Sequence, residues 1–137
     1  MTSSRWALAV AAAALAACSA TGDGASTPQG RWTAQEIGGR AVAEPARTTL
    51  EIVADGRAFG IGGCNRYSGT ARVSGAAIAL GPMAATRMAC PPPQMDQEQR
   101  FFEALATVAR WRIEDRALLL LDGDGKVAVR LAPAPAG

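Results

Sequence analysis

Residues 94–110 read QMDQEQRFFEALATVAR, and this stretch carries the clearest helical pattern in the chain. No glycine or proline interrupts it. An apolar stripe at helical spacing is formed by Phe101 or Phe102, Leu105, Val108 and Ala109. The opposite, polar side holds Gln97, Arg100, Glu103 and Thr107. Asp96, with Gln99 three residues later, resembles a capping box. The stretch therefore predicts one amphipathic helix.

The segments before and after this helix alternate like β-strands. Before it, a β-meander is predicted over residues 31–37, 48–54, 57–61, 67–73 and 76–80. After it, strands are predicted over residues 110–114, 117–121 and 126–131. The run of leucines that ends at Leu121 indicates a central strand covered on both faces. This order predicts an α+β domain, in which one main helix is inserted between a β-meander and a C-terminal β-hairpin of a strongly bent antiparallel sheet.

Two stretches break the strand pattern. Gly60, Gly62 and Gly63 fall where a strand should continue, which predicts a bulge or a close approach of another backbone segment. Residues 81–93 have no periodicity and contain Pro82 and a run of prolines, so we expect a long loop there. Loops of this length are often functional.

The N-terminus has the layout of a bacterial export signal. Arg5 precedes an apolar run over residues 6–14 that is too short for a stable membrane span. The run ends at residues 15–18, Leu-Ala-Ala-Cys, and small residues before a cysteine are what lipoprotein signal peptidase requires. We therefore expect Cys18 to be lipidated and to become the first residue. An ordinary secretory signal cut near Ala20, with loss of Cys18, is the alternative.

The expected processing divides the chain into four parts. They are a signal peptide (1–17), a flexible tether (18–30), a folded domain (31–131) and a disordered tail (132–137). Two or three acyl chains would hold the protein almost permanently at a membrane. Ser19 follows Cys18, in place of the Asp that usually retains lipoproteins at the inner membrane. We expect the outer membrane, with the domain facing the periplasm.

Composition excludes several functional classes. The 137 residues contain no histidine, which removes the usual general base of Ser-His-Asp and Cys-His catalysis and the commonest zinc ligand. A net charge of +2 gives no argument for nucleic-acid binding. Residues 122–126 begin like a calcium loop but lack its bidentate glutamate, so a hairpin turn is predicted instead. We therefore predict no catalytic residue, no metal site, no cofactor and no enzymatic activity.

Cys64 and Cys90 are the cysteines that remain once Cys18 carries lipid. In an oxidising periplasm, an even pair indicates a possible disulfide. Two buried thiols that behave as small apolar side chains are the alternative.

Two motifs resemble those of the META domain family, which is also called HslJ-like. The first is residues 63–69, GCNRYSG, and the second is residues 86–91, TRMACP, followed by Met95 and Glu98. The resemblance covers about residues 30–131. It implies a cracked-barrel-like α+β fold similar to secretin pilot lipoproteins, and links to heat shock, envelope stress, motility or secretion. It supplies no catalytic residues.

The motif residues have two interpretations: they build the local fold, or they form a candidate binding surface. This candidate surface consists of Asn65, Arg66, Tyr67, Thr86, Arg87 and Met88. We expect a binding or stress-response module that is attached to the membrane through its lipid and contacts an envelope protein, a peptide or a lipid, but no nucleic acid.

Two other functions are alternatives to a binding module. One is a thiol-dependent redox protein or hydrolase that uses Cys64 or Cys90, with Arg66 or Arg87 lowering the thiol pKa. The other is a protease inhibitor that presents a loop on a rigid scaffold.

Overall fold

The computed structural model describes residues 27–44 and 46–135. Cys18, the signal peptide and most of the predicted tether lie outside these residues. The elements, in chain order, are β1 (Gly30–Ile37), β2 (Arg40–Ala41), β3 (Thr49–Ile52), β4 (Arg57–Ile61), β5 (Arg66–Ser74), β6 (Ala77–Ala85), α1 (Pro92–Thr107), β7 (Val108–Glu114), β8 (Ala117–Asp122) and β9 (Val127–Pro133). Within the described ranges, no helix has the length and apolar character needed to cross a membrane.

The strands form one antiparallel sheet that closes on itself. Its order is β2-β1-β3-β4-β5-β6-β7-β8-β9, and β1 also pairs with β9. The ring therefore has eight strands, with the two-residue β2 beside the end of β1. The sparsest join is between β6 and β7, whose register contains only the pair Ala77 and Arg110. The α+β class is confirmed, as a mostly antiparallel barrel with one helix among the described residues.

Strand β8 lies at the centre of the packing. Leu118 and Leu120 belong to the main core, in which Phe101 of α1 is also fully buried. Leu119 and Leu121 form a second, smaller apolar cluster with Ala117. Because all four leucines are buried, the prediction of a strand covered on both faces is confirmed.

The helix limits differ from the sequence prediction at both ends. α1 begins at Pro92 and ends at Thr107, because Val108 already has extended backbone and starts β7. Proline suits the first helical turn, where its missing N–H has no intrahelical partner to lose. The N-cap is Pro91, with no side-chain cap. The prediction of a capping box at Asp96 is therefore wrong, since that residue lies inside the helix.

The predicted loop over residues 81–93 is shorter in the structure. β6 continues through Ala85, which pairs with Tyr67 of β5. Pro82 is tolerated inside this strand because β6 is not paired with β7 beyond Ala77, and an unpaired edge needs no donor from proline. Only residues 86–91 are irregular, and we call them the 86–91 segment.

The ends of the domain also reach beyond the predicted limits. Pro28, assigned to the tether, is buried, and its carbonyl accepts a 2.9 Å hydrogen bond from Nε1 of Trp32. β9 continues to Pro133 beside β1, so two residues of the predicted tail lie in the sheet.

The turn after β8 is the expected hairpin turn, and Oδ1 of Asp122 accepts the N–H groups of Asp124 and Lys126, each at 2.9 Å.

Candidate functional site

The structure brings the two sequence motifs together at the start of α1. Asn65 lies in the turn between β4 and β5, and Thr86 and Met88 lie in the 86–91 segment. Their side-chain and backbone groups are in direct hydrogen-bond contact. Arg66 and Arg87 point outward and are exposed.

Asn65 is the centre of this arrangement and is only 2% exposed. Its Oδ1 accepts the Met88 N–H at 2.6 Å and the Thr86 hydroxyl at 3.0 Å. Its Nδ2 donates to the Met88 carbonyl at 3.4 Å and to Oε2 of Glu98 at 2.8 Å. One buried amide therefore holds both backbone polar groups of Met88. Asparagine supplies an acceptor and two donors on one short side chain, which this geometry requires.

Glu98 of α1 belongs to the second sequence motif but not to the candidate surface predicted from the sequence, and the structure shows that it is a direct partner of Asn65. It is 6% exposed, and its Oε1 accepts the backbone N–H groups of Cys64 at 3.2 Å and Asn65 at 2.6 Å. With the Asn65 amide, three N–H donors surround the carboxylate, which offsets the cost of burying it. We call Asn65, Thr86, Met88 and Glu98 the Asn65 cluster.

Glycines let α1 approach the β4–β5 turn this closely. A Cβ on Gly62 would lie 2.9 Å from Cγ of Glu98, and one on Gly63 would lie 2.8 Å from the carbonyl oxygen of Gln94. Gly63 also has a φ of +151°, which side chains disfavour. The close backbone approach expected for this glycine run is confirmed.

A disulfide joins Cys64 and Cys90, with their Cα atoms 6.1 Å apart. A bridge across 26 residues of sequence contributes roughly 3–4 kcal/mol by the chain-entropy argument. The bridge fixes the far end of the 86–91 segment. The near end is fixed by the Thr86 N–H, which donates to the carbonyl of Arg66 at 3.0 Å.

Between these attachments, the 86–91 segment faces solvent. The residues from Thr86 to Ala89 are all exposed. Met88 is 56% exposed, more than Val73 at 42%, the other large exposed apolar side chain among the described residues. Arg87 makes no hydrogen bond or ion pair within the described ranges. The segment is therefore attached to the barrel on one side and accessible to solvent on the other.

Tyr67 does not belong to this surface. It is 3% exposed, and its hydroxyl donates to the carbonyl of Thr49 at 2.6 Å. Its ring lies edge-on to Phe101 and Phe102, with centroids 5.5 and 5.4 Å away. Burial raises the pKa of Tyr67. The assignment of Tyr67 and Asn65 to an exposed binding surface is therefore wrong, because both side chains are internal.

Gln97 corrects the predicted polar face of the helix in the same way. It is fully buried, and its Nε2 donates to the Thr48 hydroxyl at 2.9 Å and the Ala46 carbonyl at 3.3 Å. Its Oε1 accepts the Ala43 N–H at 3.1 Å. Gln97 therefore attaches the connection between β2 and β3 to α1, as Glu98 attaches the β4–β5 turn.

A cleft of about 240 Å³ lies beside the helix, where β6 and β7 are not paired. Its walls are mostly apolar and are formed by Leu80, Gly81, Pro82, Met83, Ala85, Phe102, Leu105 and Ala106. No group of three potential metal-ligating side chains occurs among the described residues. The features of this end of the barrel are therefore an apolar cleft and an exposed, anchored segment.

Comparisons with known proteins agree with this architecture. The family model described as META domain matches residues 25–135. A structure titled as an NMR structure of the protein from Burkholderia xenovorans has a TM-score of 0.65 and 24% identity, covering 79% of this chain and 83% of that chain. Another NMR structure has a TM-score of 0.60 and 21% identity, covering 76% and 88%. At these identities the likeness concerns the fold alone. No curated protein matches the chain.

Proposed function

We propose that this chain, which belongs to the META domain family, is a non-enzymatic envelope lipoprotein that binds a partner protein through the 86–91 segment. One observation carries the proposal. The residues from Thr86 to Ala89 are exposed, yet the segment is attached to the barrel through Thr86, Met88 and Cys90. A segment ordered before binding loses little conformational entropy when a partner binds.

The attachment to a membrane is the second part of the proposal. Cys18 follows small residues at the end of an apolar run, as expected for a lipidated cysteine. The residues between Cys18 and Pro28 are mostly small and polar, and they would connect the lipid to the barrel. We propose the outer membrane, with the barrel on the periplasmic side, as its location.

The chemistry of the segment supports binding rather than catalysis. No histidine is present in the chain, and the cysteines near the segment are bonded to each other. A thiol-dependent redox role is the alternative, and thiol titration of the folded protein distinguishes the two. Unreactive cysteines support binding, whereas a reactive thiol of depressed pKa supports redox chemistry.

The binding proposal is tested by affinity capture from envelope membranes. The wild type should retain a partner that is lost with Met88→Asp. In the complex, this variant would bury a carboxylate where the wild type buries an apolar side chain. Val73→Asp is the matched control, since Val73 is the other large exposed apolar residue in the described ranges and lies in β5. Equal recovery by all three proteins would contradict the proposed surface. Cys18→Ala should leave partner capture intact but release the protein from the membrane.

A further inference from the structure

We propose that the 86–91 segment is a substrate-like inhibitory loop for a serine endopeptidase that cleaves after arginine, with Arg87 as the side chain that enters the specificity pocket. This inference rests on the proposed function, because it assigns a partner class to the same binding segment. It is carried by the contrast between Arg87, which has no hydrogen-bond partner among the described residues, and the residues on either side, which are held by the barrel.

Arg87 has the features that a peptidase requires at the cleaved position. Its side chain is exposed, and neither its N–H nor its carbonyl has a hydrogen-bond partner in the described part of the chain. A peptidase binds its substrate as an extended segment through main-chain hydrogen bonds, so the bound residue needs both groups available. The guanidinium matches an acidic specificity pocket. Arg66 does not qualify, because it lies in β5 and its carbonyl already accepts the Thr86 N–H.

The neighbours of Arg87 are fixed on both sides. The Thr86 hydroxyl and the Met88 N–H both donate to Oδ1 of Asn65, at 3.0 and 2.6 Å. Cys90, two residues after Met88, is bonded to Cys64. Asn65 itself is buried, so these partly buried contacts attach the exposed segment to a fixed group of the barrel and hold it in one conformation. A segment of this kind binds tightly and reorganises little when bound.

The same attachments oppose net cleavage. In the first step, the peptidase serine oxygen bonds to the Arg87 carbonyl carbon, and the bond from that carbon to the Met88 nitrogen breaks. The serine proton passes through the peptidase's own base to the Met88 nitrogen, which becomes an amine. Asn65 still holds the Met88 carbonyl, and the disulfide still holds Cys90. The amine therefore stays beside the acyl carbon, and the reverse reaction restores the peptide bond and the serine.

The experiment is titration of a trypsin-type peptidase with the mature, detergent-solubilised protein, using a chromogenic arginyl substrate. The wild type should inhibit, and Arg87→Ala should weaken inhibition by about 30-fold or more, as expected for loss of a central anchor. Arg87→Lys should keep most of the inhibition, and Arg87→Leu should transfer it to a chymotrypsin-type peptidase. Arg66→Ala is the matched control and should leave inhibition unchanged.

A second variant tests the role of the attachments. Thr86→Val removes the hydrogen bond from the Thr86 hydroxyl to Asn65. This variant should be cleaved faster than the wild type between residues 87 and 88, as measured by intact mass. Absence of inhibition by the wild type, equal inhibition by Arg87→Ala, or rapid wild-type turnover at this bond would each overturn the inference. If membrane capture still depends on Met88 while trypsin-type peptidases are not inhibited, the inference fails and the proposed function stands.

Discussion

The substitution Asn65→Ala tests the structural argument most completely. It removes four hydrogen bonds from a side chain that is 2% exposed. The Thr86 hydroxyl is exposed and can bond to water instead. The two Met88 backbone groups and Oε2 of Glu98 lose their internal partner.

The expected loss follows from these three groups. A neutral hydrogen bond contributes about 1 kcal/mol, and one to a charged group contributes about 1.5–3 kcal/mol. Two bonds to the Met88 backbone and one to the Glu98 carboxylate therefore sum to about 3.5–5 kcal/mol. For a domain of this size, that loss lowers the Tm by about 15–25 °C.

Urea denaturation of the oxidised protein measures this loss directly. Gln99→Ala is the control on the same helix, because Gln99 is exposed and its Nε2 bonds only to the exposed side chain of Glu103 within the described ranges. The control should change the free energy of unfolding by less than about 0.5 kcal/mol. If Asn65→Ala were as stable as this control, the Asn65 cluster would not hold the segment.

Three further predictions concern the same end of the barrel. Gly62→Ala should cost about 1–3 kcal/mol because its Cβ would press on Glu98, and an unchanged thermal melt would contradict the close approach. Tyr67 is the only tyrosine, and its pKa is raised in the folded state. The stability that follows from this shift is fully present below the ordinary tyrosine pKa of about 10, and it is lost progressively as the pH rises above that value. Absorbance titration should show it un-ionised at pH 11 until the protein unfolds, and ordinary titration in the folded state would refute its burial. Alkylation and mass spectrometry should find Cys64 and Cys90 unmodified until reduction, and labelling before reduction would exclude the disulfide.

Local patterns predicted much of the barrel. The leucine run of β8 is predicted from its continuous apolar character, and the Asp122–Gly125 turn is predicted from its alternating Asp and Gly residues. Both predictions are confirmed. The helix was predicted from its apolar stripe, and its existence is confirmed. The structure places its start two residues before the predicted one, at Pro92, because proline, which is common in loops, also fits the first turn of a helix.

The sequence motifs contain the residues of the Asn65 cluster, but the contacts between these residues could not be predicted because they are distant in sequence. Gln97 is expected on the polar side of the helix because its side chain is polar. Glu98 lies at helical spacing to Phe101, Phe102 and Leu105, but a carboxylate gives no local sign that it is buried. Both are buried because they satisfy backbone groups of turns that lie 33 to 54 residues away in sequence. The glycines beside Cys64 were the one local signal of that contact, since they indicated close approach without identifying the partner.

Amide hydrogen exchange at two neighbouring residues tests the central claim most directly. If Asn65 holds the exposed segment, the Met88 N–H should be strongly protected, while the Arg87 N–H beside it should exchange at the rate of an open chain. Asn65→Ala should abolish the protection of Met88. Fast exchange at Met88 in the native protein would show that the segment is not held, and would contradict the account.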